Sequence, residues 1–210
     1  MKKEIIFLMV VAFMTNLAQG VIVDQSQETF SGYITVSSFG SSFVQTFTCG
    51  VNGQLDHIDL RITGEQGSDP TYPTDVSIVN VVNGTPVSST LGQVNNMDFE
   101  NGWNSVSFLS KSISLTAGNQ YGIVLMNDDT DVHDIGTVNL YLELGRGVDS
   151  YSNGSLWKGN PGSWENENDW IWDTNLLPAD ACFRTYMVPE PATILLLGLG
   201  SMMLRKKHEQ

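Results

Sequence analysis

Basic residues and histidine are scarce in this chain. Lys plus Arg number 10 against 23 Asp plus Glu, and there are 3 His. Between Val21 and Met187 the imbalance widens to 20 acidic against 5 basic residues, a net charge of −15. A surface of that sign repels phosphate backbones and anionic lipid, so nucleic acid is excluded as a partner. The lack of histidine bears on catalysis. Within the same limits only His57 and His133 offer an imidazole, and neither stands in a G-x-S-x-G or H-E-x-x-H context. A non-catalytic protein is the expectation. A glycan hydrolase stays as an alternative, because a pair of catalytic carboxylates is set by spacing in three dimensions.

Cysteine is nearly absent: Cys49 and Cys182 are the only two. Two lone thiols without neighbouring ligands do not make a zinc site. They sit in the first and last strong strand candidates, so a disulfide is one reading in a chain that leaves the cytosol. Alternation speaks against it, since Cys49 shares a face with Phe43 and Phe47 whereas Cys182 lies opposite Phe183. Two separately buried thiols are the other reading.

Long helical stripes are missing as well, and what remains is strand and turn. Ile58, Leu60 and Ile62 alternate with Asp59, Arg61 and Thr63, as do Val138, Leu140, Leu142 and Leu144 with Asn139, Tyr141 and Glu143. Tyr121–Met126 is apolar apart from Gly122, as a central strand covered on both faces requires. Further candidates are Thr29–Ser37, Phe43–Cys49, Val76–Val82, Ser105–Leu109 and Ala181–Met187. Asn52-Gly53, Asn83-Gly84, Asn101-Gly102 and Asn153-Gly154 supply residues suited to the positive φ of tight hairpins. The pattern predicts an all-β fold, a single antiparallel β-sandwich of jelly-roll type over residues 21–187.

The two ends read as addresses. In residues 1–20, Lys2 and Lys3 precede the apolar stretch Ile5–Met14, and Ala18-Gln19-Gly20 offers small residues for a signal peptidase. A signal helix is expected there. In residues 188–210, Val188-Pro189-Glu190-Pro191 leads into the uncharged run Ala192–Leu204 and then Arg205-Lys206-Lys207. As a helix that run spans roughly 20 Å, short for a hydrocarbon core of about 30 Å. A short hydrophobic helix of this kind suits a removable anchor, with its basic end held at the cytoplasmic surface.

This three-part order, carried by Pro189, Glu190, Pro191, the apolar run and Arg205, Lys206 and Lys207, resembles the tail of the bacterial PEP-CTERM proteins. The resemblance implies an exosortase-type processing enzyme as partner and a transient inner-membrane intermediate. It further implies a destination at the cell surface or in an exopolysaccharide matrix. The stretch from Phe43 to Tyr186 resembles the choice-of-anchor domains of bacterial surface proteins, through Gln45-Thr46-Phe47, Gly102-Trp103, Leu115-Thr116-Ala117-Gly118, Tyr121–Leu125 and Phe183-Arg184-Thr185-Tyr186. That resemblance implies a β-sandwich and no particular activity.

Two segments carry candidate ligand chemistry. Asn127, Asp129 and Asp131 have the spacing that opens a Ca²⁺-binding loop, but Val132 stands where glycine is needed and Val138 where the bidentate Glu belongs. A Ca²⁺ site completed by distant oxygens and a plain solvated loop are both open, and no other cofactor is expected. Trp157, Trp164, Trp170 and Trp172 crowd a segment rich in amides and carboxylates. Trp170 and Trp172 share one side of a possible strand and read as core. Trp157 and Trp164, in a Gly/Pro/Ser-rich loop, are the candidates for stacking on a glycan. The resulting expectation is a structural or adhesive component of an extracellular polysaccharide layer, with a carbohydrate-binding module as the alternative.

Overall fold

A computed structural model describes residues 20–36, 42–64, 74–127, 140–146, 151–159, 170–171 and 179–190. The strands in chain order are β1 (Ile22–Gln27), β2 (Gly32–Val36), β3 (Ser42–Thr48), β4 (Gly53–Gly64), β5 (Thr74–Val82), β6 (Thr85–Met97) and β7 (Gly102–Ser107). A 3-10 turn (Leu109–Lys111) follows, then β8 (Ser114–Leu115), β9 (Gln120–Asn127), β10 (Leu140–Arg146), β11 (Leu156–Gly159), β12 (Trp170–Ile171), β13 (Ala179–Ala181) and β14 (Phe183–Pro189). Two antiparallel sheets result. One has eight strands ordered β1-β14-β4-β10-β13, with β2 on β10 and β7 and β8 on β4; the other has six, ordered β12-β11-β3-β9-β5-β6. The all-β expectation holds. The two terminal helices expected from sequence lie outside the described residues.

Alternation builds the core. On β3, Phe43 and Phe47 point between the sheets, and on β4 so do Leu55, Ile58, Leu60 and Ile62, all at 1% exposure or less. Phe183 and Met187 of β14 join them, and Phe47 meets Phe183 with ring centroids 6.2 Å apart. Burying one such side chain contributes roughly 1.5–3 kcal/mol. A polar latch crosses this core. The Gln45 amide donates to Asp180 Oδ1 at 3.1 Å and accepts from the Ala181 N–H at 2.7 Å, while Tyr151 N–H donates to Asp180 Oδ2 at 3.0 Å. A polar group buried this deeply is tolerated because its partners are provided.

The sequence missed β6, an edge strand, and β1, whose Ile22-Val23-Asp24 start carries no alternation. Among the four Asn-Gly pairs only Asn83-Gly84 forms the expected two-residue hairpin, with φ of 52° and 81°. Gly53 is instead the first residue of β4, and its lack of a side chain serves a close approach described below.

Candidate functional site

The PEP segment is partly woven into the domain. β14 continues past Met187, pairing Val188 with Gln54 and Pro189 with Gly53, and the Glu190 N–H donates to Asn52 O at 3.1 Å. Pro189 is buried and Glu190 exposed. Proline has no N–H to give a ladder, and the Pro189 nitrogen is on the β1 side of β14, beyond the last β1 pair, Ile22 with Met187. Gly53 makes the seat possible: a Cβ there would lie 2.3 Å from Val188 O and 2.9 Å from Pro189 Cα. Asn52 is held in turn, its Oδ1 accepting the Ala117 N–H at 2.8 Å. Pro191, Arg205, Lys206 and Lys207 lie outside the described residues.

The N-terminal strand flanks this seat. β1 pairs with β14, placing Ile22 beside Met187. Asp24 accepts the Gly50 N–H with both carboxylate oxygens, at 2.9 and 3.1 Å. Burial nevertheless raises the Asp24 carboxyl above its usual range, against the lowering effect of the Gly50 and Val51 N–H groups. Gln25 Oε1 accepts the Tyr151 hydroxyl at 2.8 Å, tying β1 to the segment before β11.

The outer face of the eight-stranded sheet carries a charged and aromatic network. Arg184 makes a two-point contact to Glu28, Nε to Oε1 and Nη2 to Oε2 at 2.9 Å each, and lies over the Trp103 ring at 4.1 Å. Glu28 in consequence holds the Arg184 guanidinium well above its already high pKa. Beside it Arg61 Nε pairs with Glu143 Oε2 at 2.9 Å, beneath the Phe30 ring at 5.4 Å. His57 stacks on Tyr186 with centroids 4.0 Å apart and contacts Asp56 through Nδ1. Burial, then the neighbouring Asp59 carboxylate, raises the Tyr186 phenol. Register explains the grouping, since Asp59 faces Arg184 on one side and Arg61 faces Trp103 on the other. Glu28 and Phe30 come from the connection between β1 and β2, which no short-range pattern places there.

Both thiols are buried and unbridged, so the disulfide reading is corrected to two separate thiols. The physical reason is the face parity. Cys49 Sγ belongs to the core and donates to Val51 O at 3.1 Å. Cys182 Sγ turns away from that core and donates to Thr29 O at 3.4 Å. Burial, then the charge of Asp24, pushes the Cys49 thiol up to about 12. Burial, then Glu143, pushes Cys182 up to about 11.

Trp157 lies in strand β11 rather than in a loop. It is half-buried and packs on Val44, Val79 and Val124, the outer apolar strip of the six-stranded sheet. Trp164 lies outside the described residues. Asn127 closes β9, and Asp129 and Asp131 fall outside the described residues. Among the described residues no group of three or more His, Cys, Asp or Glu could hold a metal. An open cleft of about 620 Å³ lies beside the β5–β6 hairpin, lined by Asn80, Val82, Asn83, Ser89, Asn119 and Gln120 among others. Its lining holds no Asp, Glu, Lys or Arg.

Comparison with known proteins gives a fold and an address. No curated protein matches the chain in sequence. The chain is similar in structure to the cysteine protease and lectin-like domains of Cwp84, a surface layer associated protein of Clostridium difficile, at 15% identity and a TM-score of 0.52. It is also similar to a clostridial cysteine protease Cwp84 variant after propeptide cleavage, at 14% identity and a TM-score of 0.53. Each match covers 80% of this chain, but only 36% and 40% of those chains, so the likeness is one of fold. The address is sharper. Residues 188–207 match the PEP-CTERM protein-sorting motif, which implies an exosortase-type processing enzyme and supports export to the cell surface or beyond. The chain thus carries a PEP-CTERM protein-sorting motif at residues 188–207.

Proposed function

We propose that this protein is a non-catalytic structural or adhesive component of the extracellular polysaccharide layer, delivered through an inner-membrane intermediate and freed there by exosortase-type processing. The observation that carries the reading is the sorting motif at residues 188–207, whose first residues form the final rungs of the sandwich. The freight and its label are thus contiguous, with no linker between them. The test is expression of the full chain in a host with and without an exosortase-type enzyme. With the enzyme, mass spectrometry of the surface fraction finds a chain that ends near Pro189; without it, the intact tail stays in the membrane fraction. A full-length chain soluble in the cytosol defeats the proposal.

A second reading, carbohydrate binding, draws support from the lectin-like domain named for the Cwp84 structure and from the cleft of amides and hydroxyls without charge. In this reading Trp157 and Trp164 stack on sugar faces, and Asn127, Asp129 and Asp131 contribute oxygens to a Ca²⁺ site. Titration with bacterial exopolysaccharide then changes tryptophan fluorescence, and Trp164→Ala removes the change. A flat response across neutral and acidic polysaccharides removes this reading and leaves the first intact.

A further inference from the structure

Both hydrophobic ends of the chain leave the sandwich from the same place. β14 ends at Pro189 beside Gly53, and β1 begins at Ile22 beside Met187. Ala192, the first residue of the uncharged C-terminal run, is two positions beyond Glu190, whose N–H is tied to Asn52 O. Two residues of extended chain reach about 7 Å. The run is also shorter as a helix than the bilayer core, which draws whatever precedes it toward the membrane. On the other side, Met14 closes the N-terminal apolar stretch seven residues before Val21.

Exposed apolar side chains gather at this end, among them neighbours of Asp24, Lys111 and Glu190. Val21, Ile22, Val23, Val82 and Leu109 are 46%, 40%, 53%, 53% and 51% exposed, five of the nine exposed large hydrophobics among the described residues. Pairing places them together at one end. Leu109 O accepts the Gln54 amide at 3.0 Å, and Gln54 faces Val188. Val82 closes β5, whose Asn80 faces Tyr121, next to the Gln120–Thr48 pair that leads round to Gly53. The uncharged cleft opens on this end as well. In a domain of net charge −15, five exposed large hydrophobics gathered at one end mark a contact surface, with the Asp24 carboxylate turned onto the Gly50 N–H and Glu190 exposed beside them.

We infer that this end is a membrane-docking face, seated on the lipid surface while the tail is inserted, with Val21–Val23, Val82 and Leu109 entering the headgroup boundary. The inference rests on reading the tail as a membrane-inserted sorting signal. Attraction to anionic lipid plays no part, given the sign of the domain; the contact is apolar and is enforced by the short tether. It also sets Pro189-Glu190 at the depth where a membrane-embedded enzyme works, and turns the opposite end, where β9 and β6 finish, away from the bilayer.

The test places the photocrosslinker benzoylphenylalanine at Val82 or Leu109, with Asp98, exposed at the opposite end, as control. The full chain is made in a host that lacks a processing enzyme, and its inner-membrane vesicles are irradiated. Phospholipid adducts at positions 82 and 109 should exceed those at 98 by about fivefold or more. Equal adducts at all three positions in a membrane-held precursor overturn the docking face and spare the sorting reading. A crosslink mapping to Ala192–Leu204, or to a second copy of the chain, also overturns it by naming another occupant. A precursor found in the soluble fraction defeats both readings.

Discussion

Phe183 and Arg184 are neighbours on β14 and face opposite sides of the same sheet. Phe183 is fully buried, touching Phe47 and, edge-on at 5.1 Å, Tyr151. Arg184 is partly exposed and is held by Glu28, Trp103 and Asp59. The inner face is stabilised by area, which any apolar residue of suitable size supplies. The outer face is stabilised by particular partners, Glu28 being 156 positions distant from Arg184. Substitutions on the two faces should therefore differ in size and in their response to salt.

Phe183→Ala tests the inner face and should have the largest effect. Removing a core ring costs about 3–5 kcal/mol, which a urea melt reads as a shifted midpoint with an unchanged slope. A loss below about 1 kcal/mol would mean that the sheets do not pack as described. Arg61→Met comes next, although Arg61 is on the outer face. Its partner Glu143 is only 7% exposed and would keep the Thr63 hydroxyl but lose its ion pair. Removing one member of a charged hydrogen bond of this kind costs on the order of 2–3 kcal/mol, and Arg61→Met together with Glu143→Gln should recover part of it.

Gly53→Val probes the seat of the tail. A Cβ at Gly53 meets backbone atoms of Val188 and Pro189, which cannot move without parting the last rungs. A cost of about 1–3 kcal/mol is expected. The sharper sign is local: limited proteolysis should cut at Val188–Glu190 in the variant while the remaining core stays protected. Unaltered proteolysis would show that the final rungs tolerate displacement.

Most of the inner face was legible in the sequence. Alternation located β4 and β10, and an apolar run located β9, whose Tyr121–Leu125 are all buried. β1 was not legible, since its Ile22 and Val23 are both exposed while Gln27 is buried. β6 failed for a similar reason: as an edge strand it alternates weakly, with Pro86 its one fully buried position. The sorting motif was read correctly from Pro189 and Glu190, but its seating was not, because the role of Gly53 depends on a strand 135 positions further on. Trp157 was placed in a loop on the strength of nearby Gly and Pro, and it lies in a strand. The outer network of Arg184, Glu28 and Trp103 left no trace in any local pattern.

The cysteines sharpen the comparison by lying one on each face, Cys49 inward and Cys182 outward. Each thiol is held above its unfolded value near 9, at about 12 and about 11. The stabilisation is complete below the unfolded pKa. Above about pH 9 the unfolded chain loses these protons first, so it binds fewer than the folded chain and stability falls as pH rises. The slope reaches at most about 1.4 kcal/mol per pH unit for each thiol, and urea melts between about pH 7 and pH 10.5 should show it. Cys182→Ala should flatten the slope. The native protein should resist thiol reagents at about pH 8 until denaturant is added. Rapid labelling of either cysteine would place it outside the interior.

The smallest effect is expected from the Arg184–Glu28 pair. Its geometry is the two-point arrangement that Arg favours, yet Glu28 is half exposed and solvent screens much of the attraction. A double-mutant cycle with Arg184→Met and Glu28→Gln should give a coupling at or below about 1 kcal/mol. Salt of about 1 M should abolish most of that coupling, while the cost of Phe183→Ala should not fall with salt. The contact with Trp103 separates two origins for whatever Arg184 contributes. If Trp103→Leu weakens the protein as much as Glu28→Gln does, the guanidinium acts chiefly as a flat lid over the ring. If it does not, the ion pair carries the contribution. In either case the strap from Glu28 to Phe30 is fastened by modest surface interactions, and the sandwich beneath it stays folded when they are removed.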